Sequence, residues 1–142
     1  MTSTVVYEGN LRTVCRHLSS GLEIETDAPV DNNGRGERFS PTDLVATALG
    51  SCMVTIMGMR ANDMNIDISG IKIEIDKIMK SEPRRIGGIN LTFHFPESIQ
   101  LSVKQQTILE KAAHTCPVIN SIHPDIAVQV VFNWNKEAVT SN

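Results

Sequence analysis

Ser40-Pro41-Thr42-Asp43-Leu44-Val45-Ala46-Thr47-Ala48-Leu49-Gly50-Ser51-Cys52-Met53-Val54-Thr55-Ile56-Met57-Gly58-Met59 is the stretch on which the fold turns. Ser40 is placed to cap a helix, Pro41 suits the first helical turn, and Asp43 stands at the third position of a capping-box-like S-x-x-D. No charged residue follows Asp43 until Arg60, and the side chains between are apolar or small on every face. A helix with no polar face is enclosed by protein on all sides. In a chain of 142 residues the simplest cover comes from a second subunit. The stretch therefore predicts an obligate dimer with this helix at or near its centre.

Upstream, residues 4–17 read as a short extended stretch (Val5, Tyr7), a turn at Gly9-Asn10, and then Leu11 and Val14. Leu22-Glu23-Ile24-Glu25-Thr26 alternates apolar and polar side chains with the period of a half-buried strand. The two segments form an expected antiparallel hairpin around Ser19-Ser20-Gly21. A polar loop runs from Asp27 to Phe39, and its Asn33-Gly34-Arg35-Gly36 reads as a flexible turn.

Downstream, the alternation of Ile66, Ile68, Ile71, Ile73 and Ile75 with Lys72, Glu74 and Asp76 predicts a strand over 66–78, with Gly70 at a bulge or bend. A second strand is expected over 87–96, with Ile89, Leu91, Phe93 and Phe95 on one face. Lys80-Ser81-Glu82-Pro83-Arg84-Arg85 makes the turn between them. Val103, Ile108, Leu109, Ala112 and Ala113 share one stripe of a helix over 102–114. A short helical turn over 117–122 and a last strand over 126–134 complete the chain. The order β-β-α-β-β-α-β describes an α+β domain, residues 1–142, with antiparallel sheets packed around central apolar helices.

Composition narrows the classes of function. The chain carries 13 basic and 16 acidic residues and is 41% hydrophobic, ordinary for a soluble globular protein. It shows no basic stripe of the kind a nucleic-acid binder presents. Its apolar runs are shorter than the roughly 18 residues of a membrane span. MTSTVVYEGN lacks the basic and apolar regions of a secretory signal, so a cytoplasmic address is the default. No G-x-G-x-x-G or Walker-type loop is present to cradle a phosphate. His17, His94, His114 and His123 show no metal-ligand spacing, so neither cofactor nor metal is expected.

The three cysteines include no C-x-x-C pair, which speaks against a disulfide framework and a zinc knuckle. Cys15, flanked by Val14 and Arg16, reads as structural. Cys52, read alone, fits a small core residue, because free cysteine is among the most buried types. A thiolate in mid-helix needs an outside cation to lower its pKa. Cys116 follows a helix and precedes Pro117, where its sulfur can cap the next turn and gain from the helix dipole. That gain is only on the order of 1 kcal/mol, so a mere boundary residue fits as well. His114 can modulate that thiol or simply close the preceding helix.

Ser40-Pro41-Thr42-Asp43-Leu44, Ala48-Leu49-Gly50-Ser51-Cys52 and His114-Thr115-Cys116-Pro117-Val118 resemble the two signatures of the OsmC/Ohr family (osmotically inducible protein C-like, organic hydroperoxide resistance). The order of elements is similar over almost the whole chain. The resemblance implies an intertwined homodimer with sites at the subunit interface. It implies a peroxidase in which Cys52 attacks an organic hydroperoxide and Cys116 resolves the product to a disulfide. The reductant would be an external dithiol such as lipoamide. An apolar pocket around Cys52, lined by Met53, Ile56 or strand residues, would favour alkyl or lipid hydroperoxides.

The family also sets an arginine beside the thiolate and a glutamate to orient it. The arginine falls on Arg12, with Arg38 as its rival. The glutamate position falls on Thr42, a departure from the pattern, with Asp43 and Glu37 as substitutes. Two functions are thus expected on this scaffold: a thiol peroxidase of oxidative-stress defence, or a stress-associated small-ligand-binding dimer with inert cysteines.

Overall fold

Alternating burial and tight turns build two small sheets, and a computed structural model describes residues 1–135 of the chain. The chain divides into two compact units, Met1–Val45 and Ala46–Asn142.

In the first unit β1 (Ser3–Gly9), β2 (Arg12–His17) and β3 (Glu23–Asp27) pair antiparallel in that order. The segment 4–17, read as one extended stretch with a turn, is two full strands. Gly9, Asn10 and Leu11 all adopt positive φ between them, which makes a tight reversal. The hairpin around Ser19-Ser20-Gly21 is present, with His17 N–H donating to Leu22 O at 2.8 Å. The loop after β3 is pinned: Asp27 N–H donates to Phe39 O, Gly34 N–H to Pro29 O and Gly36 N–H to Ala28 O. Gly34 is required there, since a Cβ would fall 1.7 Å from Ala28 O. The stretch expected to be a flexible turn is thus held at Gly34 and Gly36 by backbone hydrogen bonds.

Helix α1 (Pro41–Asp63) begins where the capping signals stand. Asp43 N–H donates to Ser40 Oγ at 3.0 Å, and Ser40 N–H donates to Asp43 Oδ2 at 2.9 Å. The helix stops in a Schellman motif: Asn65, at φ 55°, donates to Asn62 O, and Ile66 N–H donates to Ala61 O. This cap explains why the strand expected from Ile66 starts later, at Lys72. Ile68 is buried all the same, as a plug in the connection.

The second unit holds β4 (Lys72–Lys80), β5 (Arg85–His94), α2 (Val103–Ala113) and β6 (Ala127–Asn133). β4 and β5 pair antiparallel, but β5 and β6 pair parallel, so the sheet is mixed rather than antiparallel throughout. The cause is α2: a helical connection returns the chain in its original direction, whereas a tight turn reverses it. Ser102 and Gln105 close a full capping box at the start of α2. Residues 117–122, expected as a helical turn, form successive turns without a helix.

The core lies in this unit. Leu49, Met53 and Met57 of α1, Ile89, Leu91 and Phe93 of β5, and Leu109 and Ala113 of α2 are fully buried. By length and composition α1 could cross a membrane, yet here it supplies one wall of this core. Gly50 sets the closeness of the packing, because a Cβ there would lie 2.6 Å from Ile75 Cδ1 and 3.3 Å from Leu91 Cδ2. The opposite face of α1 (Val45, Ala48, Ser51, Thr55 and Met59) is exposed in the single chain. Its own sheet thus encloses only half of the all-apolar helix.

Candidate functional site

In the first unit the strand register decides the electrostatics. Arg12 on β2 stands directly opposite Asp27 on β3. Arg12 Nε donates to Asp27 Oδ1 and Nη2 donates to Asp27 Oδ2, both at 2.8 Å. Such a two-point fork is the strong form of the arginine–carboxylate bond. The Asp27 side chain is fully buried and takes a third bond from Glu37 N–H at 3.2 Å. The guanidinium holds the Asp27 carboxyl below the usual carboxylate range against its desolvation, and Asp27 in turn raises Arg12.

The other carboxylates are more open and farther away. Glu37 Oε2 lies 3.3 Å from Arg12 Nη2 and Glu25 Oε2 lies 3.6 Å from Arg12 Nε. Arg38 Nε pairs with Glu25 at 3.1 Å, and its Nη1 donates to Glu37 O. Of the expected supporting residues, Glu37 does reach Arg12. Asp43 completes the cap of α1, and Thr42 Oγ1 sits 3.2 Å from Ser40 Oγ. The principal anchor of Arg12 is Asp27, the first residue of the expected loop.

In the second unit the two signature cysteines come together. Cys52 projects from α1 beside the buried stripe of Leu49 and Met53 and is half-buried, while Cys116 is fully buried. Both thiols are free. Ile119 N–H donates to Cys116 Sγ at 3.3 Å, as a backbone amide does to a capping oxygen. That bond favours the thiolate, but burial outweighs it and the nearby Cys52 side chain adds to the effect, so the Cys116 thiol is raised. His114 is the C-cap of α2 and sets its ring edge-on to Phe132 at 6.2 Å. Cys15 is half-buried on β2, opposite Ile24 of β3 and Val5 of β1, in the other unit.

A groove of about 460 Å³ runs between α1 and α2, floored by Ile56, Met59, Ile108 and Ala112 and edged by Arg60, Asp63, Lys111 and Thr115. Ile56 lies one helical turn after Cys52, and Thr115 immediately precedes Cys116. Met53, expected to line a pocket at Cys52, instead points into the core, because it falls on the stripe of α1 that faces the sheet. Among the described residues no group of three or more His, Cys, Asp or Glu side chains converges as metal ligands would.

The profile of the family described as OsmC-like protein matches residues 34–131. No curated protein matches the chain. Among solved structures, a Psychrobacter arcticus protein described as a candidate osmotic stress induced and detoxification response protein is 51% identical. It covers 94% of this chain and 96% of its own, with a TM-score of 0.90. The organic hydroperoxide resistance protein OsmC from Legionella pneumophila is 18% identical over 94% of this chain and 98% of its own, with a TM-score of 0.73. A Vibrio cholerae candidate organic hydroperoxide resistance protein, solved with captopril in one active site, is 17% identical over 95% of this chain and 93% of its own, with a TM-score of 0.71. At such identities the last two establish likeness of fold.

Proposed function

The chain belongs to the OsmC-like protein family, and from that membership we propose that it is a thiol peroxidase reducing organic hydroperoxides. The observation that carries the reading is the meeting of two free thiols from distant parts of the sequence, one half-exposed on α1 and one buried after α2. Similar folds occur in proteins named for organic hydroperoxide resistance.

In the proposed cycle the Cys52 thiolate gives an electron pair to the distal peroxide oxygen. The S–O bond forms, the O–O bond breaks, and the departing alkoxide takes a proton and leaves as the alcohol. Cys52 is then a sulfenic acid. The Cys116 thiolate attacks the Cys52 sulfur, an S–S bond replaces S–O, and hydroxide leaves and is protonated to water. A dithiol of the lipoamide type restores both thiols by exchange.

The role of cation for a thiolate, which the resemblance gives to Arg12, belongs to the proposal. The apolar floor of the α1–α2 groove favours alkyl over hydrogen peroxide. The proposal includes a homodimer covering the outer face of α1, and a cytoplasmic address suits thiols that must be re-reduced.

A small-ligand-binding dimer with inert thiols is the second reading, favoured by Thr42 at the glutamate position and by the size of the groove, which suits a small molecule. Turnover separates the two. With cumene hydroperoxide and dithiothreitol the wild-type chain is expected to consume peroxide and Cys52→Ser is not. Wild-type consumption no faster than that of Cys52→Ser would reject the peroxidase reading.

A further inference from the structure

Arg60 and Lys111 stand on the rim of the α1–α2 groove, and the proposed thiol cycle uses neither. Helical periodicity puts them there. Ile56, Met59, Arg60 and Asp63 follow one another at three- and four-residue steps along α1. Ile108, Lys111, Ala112 and Thr115 do the same along α2 and just past its end. Such steps set side chains on one face of a helix. Each helix thus gives two apolar positions to the floor and one cation to the rim.

The floor is apolar surface left open to water: Ile56, Ile108 and Ala112 are half-buried and Met59 is exposed. A groove of about 460 Å³ falls in the range of small-molecule sites. From Ile56 to Asp63 the helix rises about 10 Å, the reach of an extended chain of about eight carbons.

The rim fixes the charge of the occupant. Arg60 pairs with Asp63 at 3.5 Å, but both side chains are more than half exposed, and such a pair holds weakly. Lys111 is exposed in the last turn of α2. Thr115 Oγ1 donates to Ala112 O at 2.7 Å, so its hydroxyl hydrogen is already used. Two cations therefore face one carboxylate, which leaves an excess of donors for a monoanion. Both cations lie in the last turn of their helices, where the unpaired backbone groups are carbonyls and not amides. A phosphate, which gathers many N–H donors, finds few here. A carboxylate needs only a guanidinium edge and an ammonium.

We propose that the α1–α2 groove is a binding site for a straight-chain aliphatic carboxylate of about eight carbons, its chain on Ile56, Met59, Ile108 and Ala112 and its head group held by Arg60 and Lys111. This goes beyond the peroxidase reading and does not rest on it, because binding needs neither thiol.

NMR titration of the full-length chain tests the site, with octanoate as probe and octan-1-ol as its neutral counterpart. Octanoate is expected to bind saturably, shifting the methyl signals of Ile56, Met59, Ile108 and Ala112. It should bind about tenfold more tightly than octan-1-ol, the effect of a hydrogen bond to a charged group. Hexanoate should bind about tenfold more weakly than octanoate, because two methylenes leave the apolar floor. Arg60→Gln and Lys111→Gln should each weaken octanoate about fivefold and leave octan-1-ol unchanged. The double variant should bind the two probes equally.

Asp63→Asn removes the one acid among the lining residues and releases Arg60, so it should tighten octanoate about twofold. A gain of binding cannot come from misfolding, which keeps the test decisive if a glutamine variant is unstable. Absence of saturable binding, shifts confined to residues outside the groove, or octan-1-ol binding as tightly as octanoate would overturn the site. So would an Arg60→Gln/Lys111→Gln chain that keeps the preference for octanoate, or weaker binding in Asp63→Asn. Each of these results leaves the peroxidase reading standing, since that reading is decided by turnover and not by this titration.

Discussion

Asp27 and Cys116 are both buried, and burial leads to opposite outcomes because their partners differ. Desolvation raises either group; Asp27 overcomes it through the Arg12 fork and stays ionised, whereas the backbone amides of Ile119 and Val118 do not offset burial and leave Cys116 raised. The sign has a consequence for the proposed resolving step. Attack on a sulfenic acid requires the Cys116 thiolate, and a raised pKa keeps that fraction small at neutral pH and increasing well above the ordinary thiol value. Disulfide formation should therefore speed up with pH, and dimedone should trap more Cys52 sulfenic acid at pH 7 than at pH 9. Equal trapping at both would mean that Cys116 is not the limiting thiol. The two sulfurs were singled out only by the resemblance of the motifs around them, since read alone Cys52 fits a core residue and Cys116 a boundary residue. Asp27 was not, since its role depends on a cross-strand partner. The register that pairs Arg16 with Glu23 also pairs Arg12 with Asp27 four residues farther along each strand, so the signal lay in counting outward from the hairpin turn.

At the level of elements, α1 separates stability from specificity on its different faces. Leu49 lies in the stripe against β5, fully buried in the core, and Leu49→Ala should cost about 2–5 kcal/mol in chemical denaturation. Ile56 instead floors the groove between α1 and α2, one helical turn after Cys52. Ile56→Ala should lower kcat/KM for cumene hydroperoxide about tenfold, the order expected for lost apolar contacts, and leave the rate with hydrogen peroxide unchanged. Equal losses with both peroxides would show that the groove does not bind the alkyl portion. The helix itself was readable from Ser40 to Met59 because caps and composition are local. The late start of β4 and the parallel pairing of β6 were not, for different reasons. A Schellman cap at Asn65 overrode the alternation of Ile66 and Ile68, and strand direction depends on how the α2 connection returns to the sheet.

For the whole molecule, the deciding quantity is apolar surface left in water. Val5, Val6 and Tyr7 of β1 are each more than half exposed, as is Met59 on α1. The outer face of α1 carries Val45, Ala48, Ser51, Thr55 and Met59, with no charge until Arg60. Scattered exposed apolar residues are ordinary, but contiguous ones on a sheet and on a helix mark an interaction surface. In the proposed homodimer a second copy of the chain would supply matching cover by symmetry, since a two-fold interface uses the same patch on both subunits. Light scattering on dilute protein should accordingly give twice the chain mass of 15.6 kDa. Met59→Asp places a charge on the outer face of α1 without touching the stripe against the sheet. It should shift the protein toward monomer, because an unpaired charge buried at an interface leaves a desolvation cost with nothing to offset it. A wild-type monomer at micromolar concentration would leave that surface needing another occupant, whereas a dimer indifferent to Met59→Asp would move the interface from α1 to the strands of the first unit.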